Sequence, residues 1–490
     1  MYSGQVRQLS ISETKIAAKM PIAETFTQGI SPPKKRNRTD FLVLLFRSLD
    51  SAGIRYCVLH SWEGLPENLH SDLDLAVHPD DVSKFPGVLL NLHRNGYPSL
   101  HIVDYAIREC RLDFVWFEGP EMDSVAVDIT YGYVEGGLIL MSGSDLVAKR
   151  QRRKSFWVAE AATEFSYLLA RTALKGSLPA HREERLRELT GEIGTLQAEE
   201  VAGKLFGERY KTKAVDACLD GSLTELLPKL KTQLWRTILR HDPLNPIRHL
   251  FSNSIRLMGR WLRPSGILVL FLGPDGVGKS TLINHVNQLL SPAFRGHRVF
   301  HYRPALLWRR KFSGDVTNPH GRSEYSPWRS LVSLVVHMTD YWASYWLMVR
   351  PMLTRSGLVL FDRYFYDLAI DPKRYRYGAP LWVARILRPL IPKPDLVFVL
   401  DAPTQVVLSR KQEVLPEEIQ RQREIYLREA KTLPHARVID TSASVAEVAS
   451  EIAKAVVEYS DQRVRRRCAR WTSFPNPLER SQGPRNLPTV

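Results

Sequence analysis

The run FLGPDGVGKST, Phe271 to Thr281, constrains this chain more than any other stretch. The apolar, β-prone ILVL precedes it, and LINHVNQLL follows with helical spacing. A strand must deliver the chain into a tight glycine turn, and a helix must start directly out of that turn. Gly273, Gly278, Lys279 and Ser280 fill the pattern G-x-x-x-x-G-K-[ST]. In such a loop glycines let the backbone curl, so that its N–H groups point at phosphate oxygens. The helix starting at Lys279 adds its positive dipole end. The whole loop, Gly273, Pro274, Asp275, Gly276, Val277, Gly278, Lys279, Ser280 and Thr281, is the expected phosphate cradle. Lys279 would reach the β/γ phosphates of a nucleoside triphosphate, and Ser280 would ligate Mg²⁺.

From Gly266 onward, ILVLFL, LVLFD, DLVFVLD and ARVID read as strands separated by helical stretches. That alternation predicts a parallel sheet with helices on both faces. Asp362 and Arg363 end the second of these strands, at the carboxyl edge where open α/β sheets bind ligands. A carboxylate there suits Mg²⁺, and an arginine suits an acceptor phosphate. Arg374 and Arg376 in DPKRYRYG are further candidates for an anionic substrate. After the strand ending at Asp401 comes a helix with Arg410 and Lys411, then a charged, proline-interrupted segment. An arginine in such a mobile segment would neutralise charge on a transferring group.

These motifs, in this order, resemble the thymidylate kinase family. GPDGVGKST has that family's D-G-x-G-K-S-T form, DRY at Asp362–Tyr364 matches the motif after its third strand, and PDLVFVLDAP followed by SRK matches the approach to its lid. The likeness covers roughly residues 266–455. It implies a P-loop kinase fold, ATP and Mg²⁺ as cofactors, catalytic roles for Lys279, Asp362, Arg363 and Arg410, and an acceptor monophosphate gripped near Arg363. Tyr341 follows Asp340 where the family places an arginine against its base. The fuller DRYFYD…DPKRYR pattern is similar to thymidylate kinase-like proteins of bacterial surface-polysaccharide gene sets. The acceptor is therefore left open between a nucleoside monophosphate and a small-molecule or glycan-linked acceptor.

The front half poses a second chemistry. FLVLLFRSLDSAG reads as a helix closed by Gly53, and IRYCVLHS, SDLDLAVH, RLDFVWF and VAVDITY read as strands. Asp72 and Asp74 alternate, which predicts two carboxylates on one face of a strand, able to clamp Mg²⁺. Asp128 is the best third ligand, with Asp113 second. LHS at Leu59–Ser61, then ten residues, then DLDL resembles the nucleotidyltransferase pattern, with His60 where that pattern has a glycine. An α+β nucleotidyltransferase-like domain is expected, either a second catalytic centre or a module that presents substrate. A scaffold that binds ATP without turnover is the remaining reading of the whole chain.

The 490 residues imply several domains at ~150 residues each. We read a leader over 1–40, the nucleotidyltransferase-like domain over 41–145, a helical extension and linker over 146–248, the kinase-like domain over 262–460 and a disordered basic tail over 461–490. Because the second sheet is contiguous in sequence, a fragment from about His249 is expected to fold alone. The net charge of +16 favours anionic partners, and part of it lies in SPPKKRNR (Ser31–Arg38) and RVRRRCAR (Arg463–Arg470), which could touch an anionic membrane. Only charge points to nucleic acid, which is not expected. Four cysteines without a CxxC pair predict reduced thiols in a cytoplasmic protein, and no signal peptide is seen. LVSLVVHMTDYWASYWLMV, Leu331–Val349, carries His337 and Asp340 at its centre. A mid-membrane charge costs ~2.5–3.5 kcal/mol. With Ser333 and Ser344 these two residues form a polar stripe opposite a broad apolar face, so we expect a helix of a folded domain rather than a membrane span.

Overall fold

Runs of apolar residues become strands buried on both faces when helices cover the sheet on both sides. In a computed structural model of the protein, residues 36–69, 71–106, 108–135, 138–241, 243–304, 306–307, 323–410 and 416–469 are described. Most of the expected leader, the end of the expected tail, and Lys411 with the segment to 415 lie outside them.

The front half opens with α1 (Arg38–Ser51), capped by Asn37, whose Oδ1 accepts the Asp40 N–H at 2.8 Å. Arg38 pairs with Asp123 at 2.9 Å, so the leader gives way to packed structure before residue 40. Strands β1 (Tyr56–Val58) and β2 (Leu73–Val77) follow, then α2 (Phe85–Arg94). Next come β3 (Ser99–Ala106), β4 (Glu109–Glu118) and β5 (Glu121–Thr130). The hairpin β6 (Gly132–Glu135) and β7 (Leu138–Ser142) and the short α3 (Gly143–Ala148) lead to β8 (Gln151–Arg153) and β9 (Phe156–Val158). One mixed sheet of seven strands results, ordered β3-β4-β5-β2-β1-β9-β8. On one face it packs α1 and α2 through Phe41, Phe46, Leu89 and Trp116. The other face, through Leu59 and Ala76, meets the helical extension. That extension is α4 (Ala161–Lys175), α5 (Ala180–Ile193), α6 (Thr195–Phe206), α7 (Lys211–Asp220) and α8 (Leu223–His241).

The expected linker ends at 248, but Asn245–Leu262 is a helix, α9. The prolines do not prevent it, because Pro246 falls in its first turn, where the missing N–H has no partner to lose. Beyond it, β10 (Ile267–Leu272), α10 (Lys279–Leu290) and β11 (His297–His301) begin the second sheet. Helix α11 (Pro327–Ser344), a π-helical turn at Tyr345–Val349 and α12 (Arg350–Thr354) lead to β12 (Leu358–Asp362). Helices α13 (Asp367–Ile370) and α14 (Leu381–Leu387) precede β13 (Leu396–Asp401), and α15 (Thr404–Arg410) and α16 (Pro416–Ala430) precede β14 (Ala436–Asp440). The sheet is parallel throughout, in the order β11-β12-β10-β13-β14, with an apolar core on each face. Strand β11, an edge with only Phe300 buried, lacks the apolar pattern that marks the other four.

The last helix, α17 (Val445–Cys468), corrects the expected tail. Its basic end continues for two turns past residue 461, because its other face is wanted by the front half. Val464 and Cys468 belong to the front core, while Leu100 and Val115 of β3 and β4 belong to the core under the second sheet. Buried Asp461 accepts Ser99 N–H at 2.9 Å and Ser99 Oγ at 3.0 Å, and pairs with His93 and Arg465. A fragment from His249 would uncover this seam, so the expectation of a self-sufficient second half is not supported by the packing. All four cysteines are buried and unbridged.

Candidate phosphate-binding site

Strand β10 is buried at every position and ends at Leu272, where the chain must turn sharply. Gly273 has φ +149°, and a Cβ there would lie 2.6 Å from Leu400 O, so only glycine fits. Gly278, at φ +97°, then launches α10. Lys279 folds back along the loop and donates from Nζ to Gly273 O at 2.9 Å and Pro274 O at 2.8 Å. Burial, with Arg363 nearby, pulls its ammonium down to a pKa of about 8.

The neighbouring strand β12 runs parallel in register, Phe271 opposite Asp362, so Asp362 arrives beside the loop. Ser280 Oγ donates to Asp362 Oδ2 at 3.2 Å, and His301 Nδ1 lies 3.3 Å from the same oxygen. The other oxygen, Oδ1, is buried without a partner among the described residues. Burial works against the charge on Asp362, but His301, Lys279 and Arg363 outweigh it and keep the carboxyl below its ordinary range. A hydroxyl and an ionised carboxylate with an open buried oxygen fit a hard divalent cation.

Arg363 takes the left-handed conformation, φ +72°, and is 3% exposed. That turn aims its guanidinium back at the loop, where it pairs with Asp275 and, at 3.2 Å, with Asp367. Asp367 is fixed by Tyr426 Oη at 2.9 Å, and burial raises its pKa despite Arg363. Arg374 reaches the second oxygen of Asp275, and Lys279 stands 3.7 Å from the first. Burial opposes ionisation of Asp275, but Arg363, Lys279 and Arg374 together hold it far below the usual carboxylate range. Arg410, at the end of α15, donates to Thr441 O at 2.8 Å and to Val277 O at 3.4 Å, which stations it over the loop.

Arg376 does not join this group. At φ +55° its backbone turns away, and its side chain donates to Ser323 O at 2.7 Å and lies 4.0 Å over the Tyr325 ring. Between Arg374 and Arg376, Tyr375 stacks on Tyr302 with ring centroids 4.4 Å apart. Both phenol hydroxyls are buried without a partner among the described residues. Tyr341 donates to Tyr302 O, and Asp340 beside it is fully buried, accepting Arg303 at 2.9 Å and Leu307 N at 2.8 Å. His301, Asp367, Tyr426 and the Tyr302–Tyr375 stack are absent from the sequence reading. Asp367 lay within the DRYFYD run and could have been found. His301 sits on a strand without an apolar pattern, and nothing local marks it.

The expected metal clamp of the front half is not assembled. The strand begins at Leu73, so Asp72 lies just ahead of it, and Asp72 and Asp74 are held by different partners. Asp72 lines a cavity of about 330 Å³ with Asp113 and Arg111, whereas Asp74 and Asp128 line another of about 260 Å³ with Tyr167 and Arg171. Arg111 takes Asp72 at 2.5 Å and Asp113 at 2.9 Å. Asp74 lies 3.1 Å from His60 Nε2 and 3.4 Å from Arg171. Among the described residues no group of three acidic, His or Cys side chains could hold a metal. Asp128, paired across the parallel register with Asp74, is pushed up to a pKa of about 6 by burial and by that neighbouring charge.

No protein-family model matches the chain. Its similarity is to thymidylate kinases. The thymidylate kinase of Xanthomonas campestris pv. campestris (strain B100) is 28% identical over 217 residues, 42% of this chain and 88% of that protein. That of Desulforudis audaxviator is 29% identical over 150 residues, 30% of this chain and 66% of that protein. The probable thymidylate kinase of Thermococcus onnurineus (strain NA1) is 28% identical over 223 residues, 42% of this chain and 91% of that protein. A thymidylate kinase structure from Ehrlichia chaffeensis shares 19% identity, with a TM-score of 0.29, 39% of this chain and 98% of that one.

Proposed function

We propose that the second half of the chain is a P-loop kinase that moves the γ-phosphoryl of ATP to a phosphorylated acceptor. The observation that carries this is the meeting, on one carboxylate of the phosphate loop, of Arg363 just after β12, Arg374 from the following turn and Lys279 from α10. A scaffold that only binds ATP has no need of two arginines held at the loop from the acceptor side. The loop amides and Lys279 would hold the donor phosphates. Ser280 and Asp362 would hold Mg²⁺, which neutralises phosphate charge when bound. Arg410 would close over the transferring group. Arg363 and Arg374 would hand their charge from Asp275 to the acceptor phosphate, and the Tyr302–Tyr375 pair would give a ring of the acceptor a flat apolar wall with two hydroxyls to satisfy. Phosphoryl transfer needs little covalent help, so positioning and charge supply most of the rate.

In this reading the front half presents or shapes substrate, because Arg111 and Arg171 already pair with Asp72, Asp113 and Asp74. The test is a screen with γ-labelled ATP and Mg²⁺ across nucleoside monophosphates, sugar phosphates and unphosphorylated sugars. Label should pass to a phosphorylated acceptor, and Arg374→Ala should raise KM for that acceptor more than for ATP. ATP binding without transfer to any member of the panel, at a turnover no higher than that of Lys279→Ala, would overturn the assignment.

A further inference from the structure

Surface helices turn their apolar stripe inward. Two helices of this chain leave an apolar stripe exposed. On α9, Ile247, Phe251, Ile255, Met258 and Leu262 recur at steps of four, four, three and four, and each is more than half exposed. On α11 Ser330, Asp340 and Ser344 share the buried face with Leu334 and Tyr341, while Trp328, Val332, Val335 and Trp342 face out. The two stripes join. Trp261 of α9 stacks on Trp346 at 6.2 Å, Trp346 lies 6.4 Å from Trp342, and Trp342 Nε1 donates to Leu390 O at 2.9 Å. Leu390 closes the face formed with exposed Trp382 and Ile386 of α14. A continuous apolar surface across three elements exceeds what a protein normally leaves to water.

Its charges have one sign. Over 245–263, 327–355 and 381–390 the only acidic residue is Asp340, which is 0% exposed. Arg263, Arg329, Arg355 and Arg385 on the same segments are exposed. A second copy of this face would bring arginine to arginine with no carboxylate to pair them, which disfavours self-association. A layer with anionic phosphates outside and hydrocarbon beneath matches both features. Tryptophan prefers that boundary, and the indole N–H of Trp342 is already satisfied within the protein, so its ring can enter an apolar medium without an unpaired donor.

We propose that the α9–α11–α14 face docks on an anionic lipid surface, with its Trp, Phe and aliphatic side chains at the headgroup–acyl boundary and its arginines among the phosphates. The helices lie on the surface. No described helix is long and apolar enough to cross a membrane.

Flotation of the full chain with vesicles tests this. Binding is expected to vesicles of phosphatidylglycerol in phosphatidylcholine, to weaken with salt, and to be absent with phosphatidylcholine alone. Phe251→Glu with Met258→Glu, and separately Trp382→Glu with Ile386→Glu, should each cut binding at least ~10-fold while melting temperature and ATP binding stay at wild type. Arg263→Glu with Arg385→Glu should weaken binding and flatten its salt dependence. Absence of binding to the anionic vesicles would overturn the proposal. So would wild-type binding by both apolar pairs, loss of binding only when residues 1–35 and 470–490 are removed, or a dimer in sedimentation equilibrium that both apolar pairs dissociate.

Discussion

Asp362 ends a strand buried at every position and Asp128 lies near the end of a half-buried one; each has one buried oxygen without a hydrogen-bond partner among the described residues, yet the two are driven in opposite directions. Around Asp362, His301, Lys279 and Arg363 overcome burial and keep the carboxylate charged. Around Asp128, burial and Asp74 win, and the group takes up a proton near pH 6. The nearest cation, Arg111, lies 3.9 Å from Asp128 but is shared with Asp72 at 2.5 Å and Asp113 at 2.9 Å, and Arg171 is engaged with Asp74 and His60. Asp72 and Asp74 are therefore held in separate cavities by arginines and His60. What distinguishes the two halves is whether a glycine-built backbone leaves room beside the carboxylate. The phosphate loop leaves it, whereas in the front half His60 lies 3.1 Å from Asp74.

The largest expected break of this contrast is Lys279→Ala. It should lower phosphoryl transfer by ~10²–10³-fold, with the melting temperature little changed, since the side chain serves the loop and not the core. Unchanged turnover would remove the functional difference between the halves.

Asp362→Asn comes next. It should cost ~10²-fold in turnover and raise the Mg²⁺ concentration for half-maximal activity, whereas Asp72→Asn and Asp128→Asn should leave turnover within ~2-fold. Equal losses at Asp128 and Asp362, measured by labelled-phosphate transfer, would make the front half a second catalytic centre.

A subtler sharpening is the pH dependence of ATP affinity. With the Lys279 ammonium titrating at about 8 in the free protein, affinity should be level below pH 7 and fall toward ~10-fold per unit above 8, as a proton must be taken up on binding. Calorimetry in buffers of different ionisation enthalpy would register that uptake. A flat profile to pH 10 would show that burial does not depress this lysine.

The smallest effect is on stability. The folded-state pKa of Asp128 is raised, so protonation stabilises the fold at low pH, and that contribution disappears as pH rises through about 6. Asp128→Asn should thus be more stable than wild type by ~1–2 kcal/mol at pH 7–8, with the difference closing by pH 4. Denaturant titrations at the two pH values would reveal it, and a constant difference would mean the group is not shifted.

Much of the second half was legible because its evidence is local. Glycines at fixed offsets, a lysine and serine at a helix start, and four apolar runs are properties of neighbouring residues, and they located the loop and the strand ending at Asp362, with Arg363 directly after it. Arg374 and Arg376 looked equivalent by spacing, and only a left-handed turn at Arg376 separated them. Strand β11 escaped notice because an edge strand need not be apolar, and with it went His301.

The sequence by itself determined that a strand, a glycine turn and a helix would form a phosphate loop, since sterics within a dozen residues leave no other economical path. It also determined that Leu331–Val349 would be a helix with a polar stripe and an apolar one. Which stripe faced inward was decided by tertiary structure alone. Arg303 and the Leu307 N–H wait beneath the helix for Asp340, and burying that carboxylate with its partners turned Trp342 and Trp346 outward. The fate of the basic end was likewise tertiary. Arg463–Arg467 read as a solvated tail until Val464 and Cys468, one helical turn apart, found the core of the other half, and a helix held on one face by packing carries its charges along.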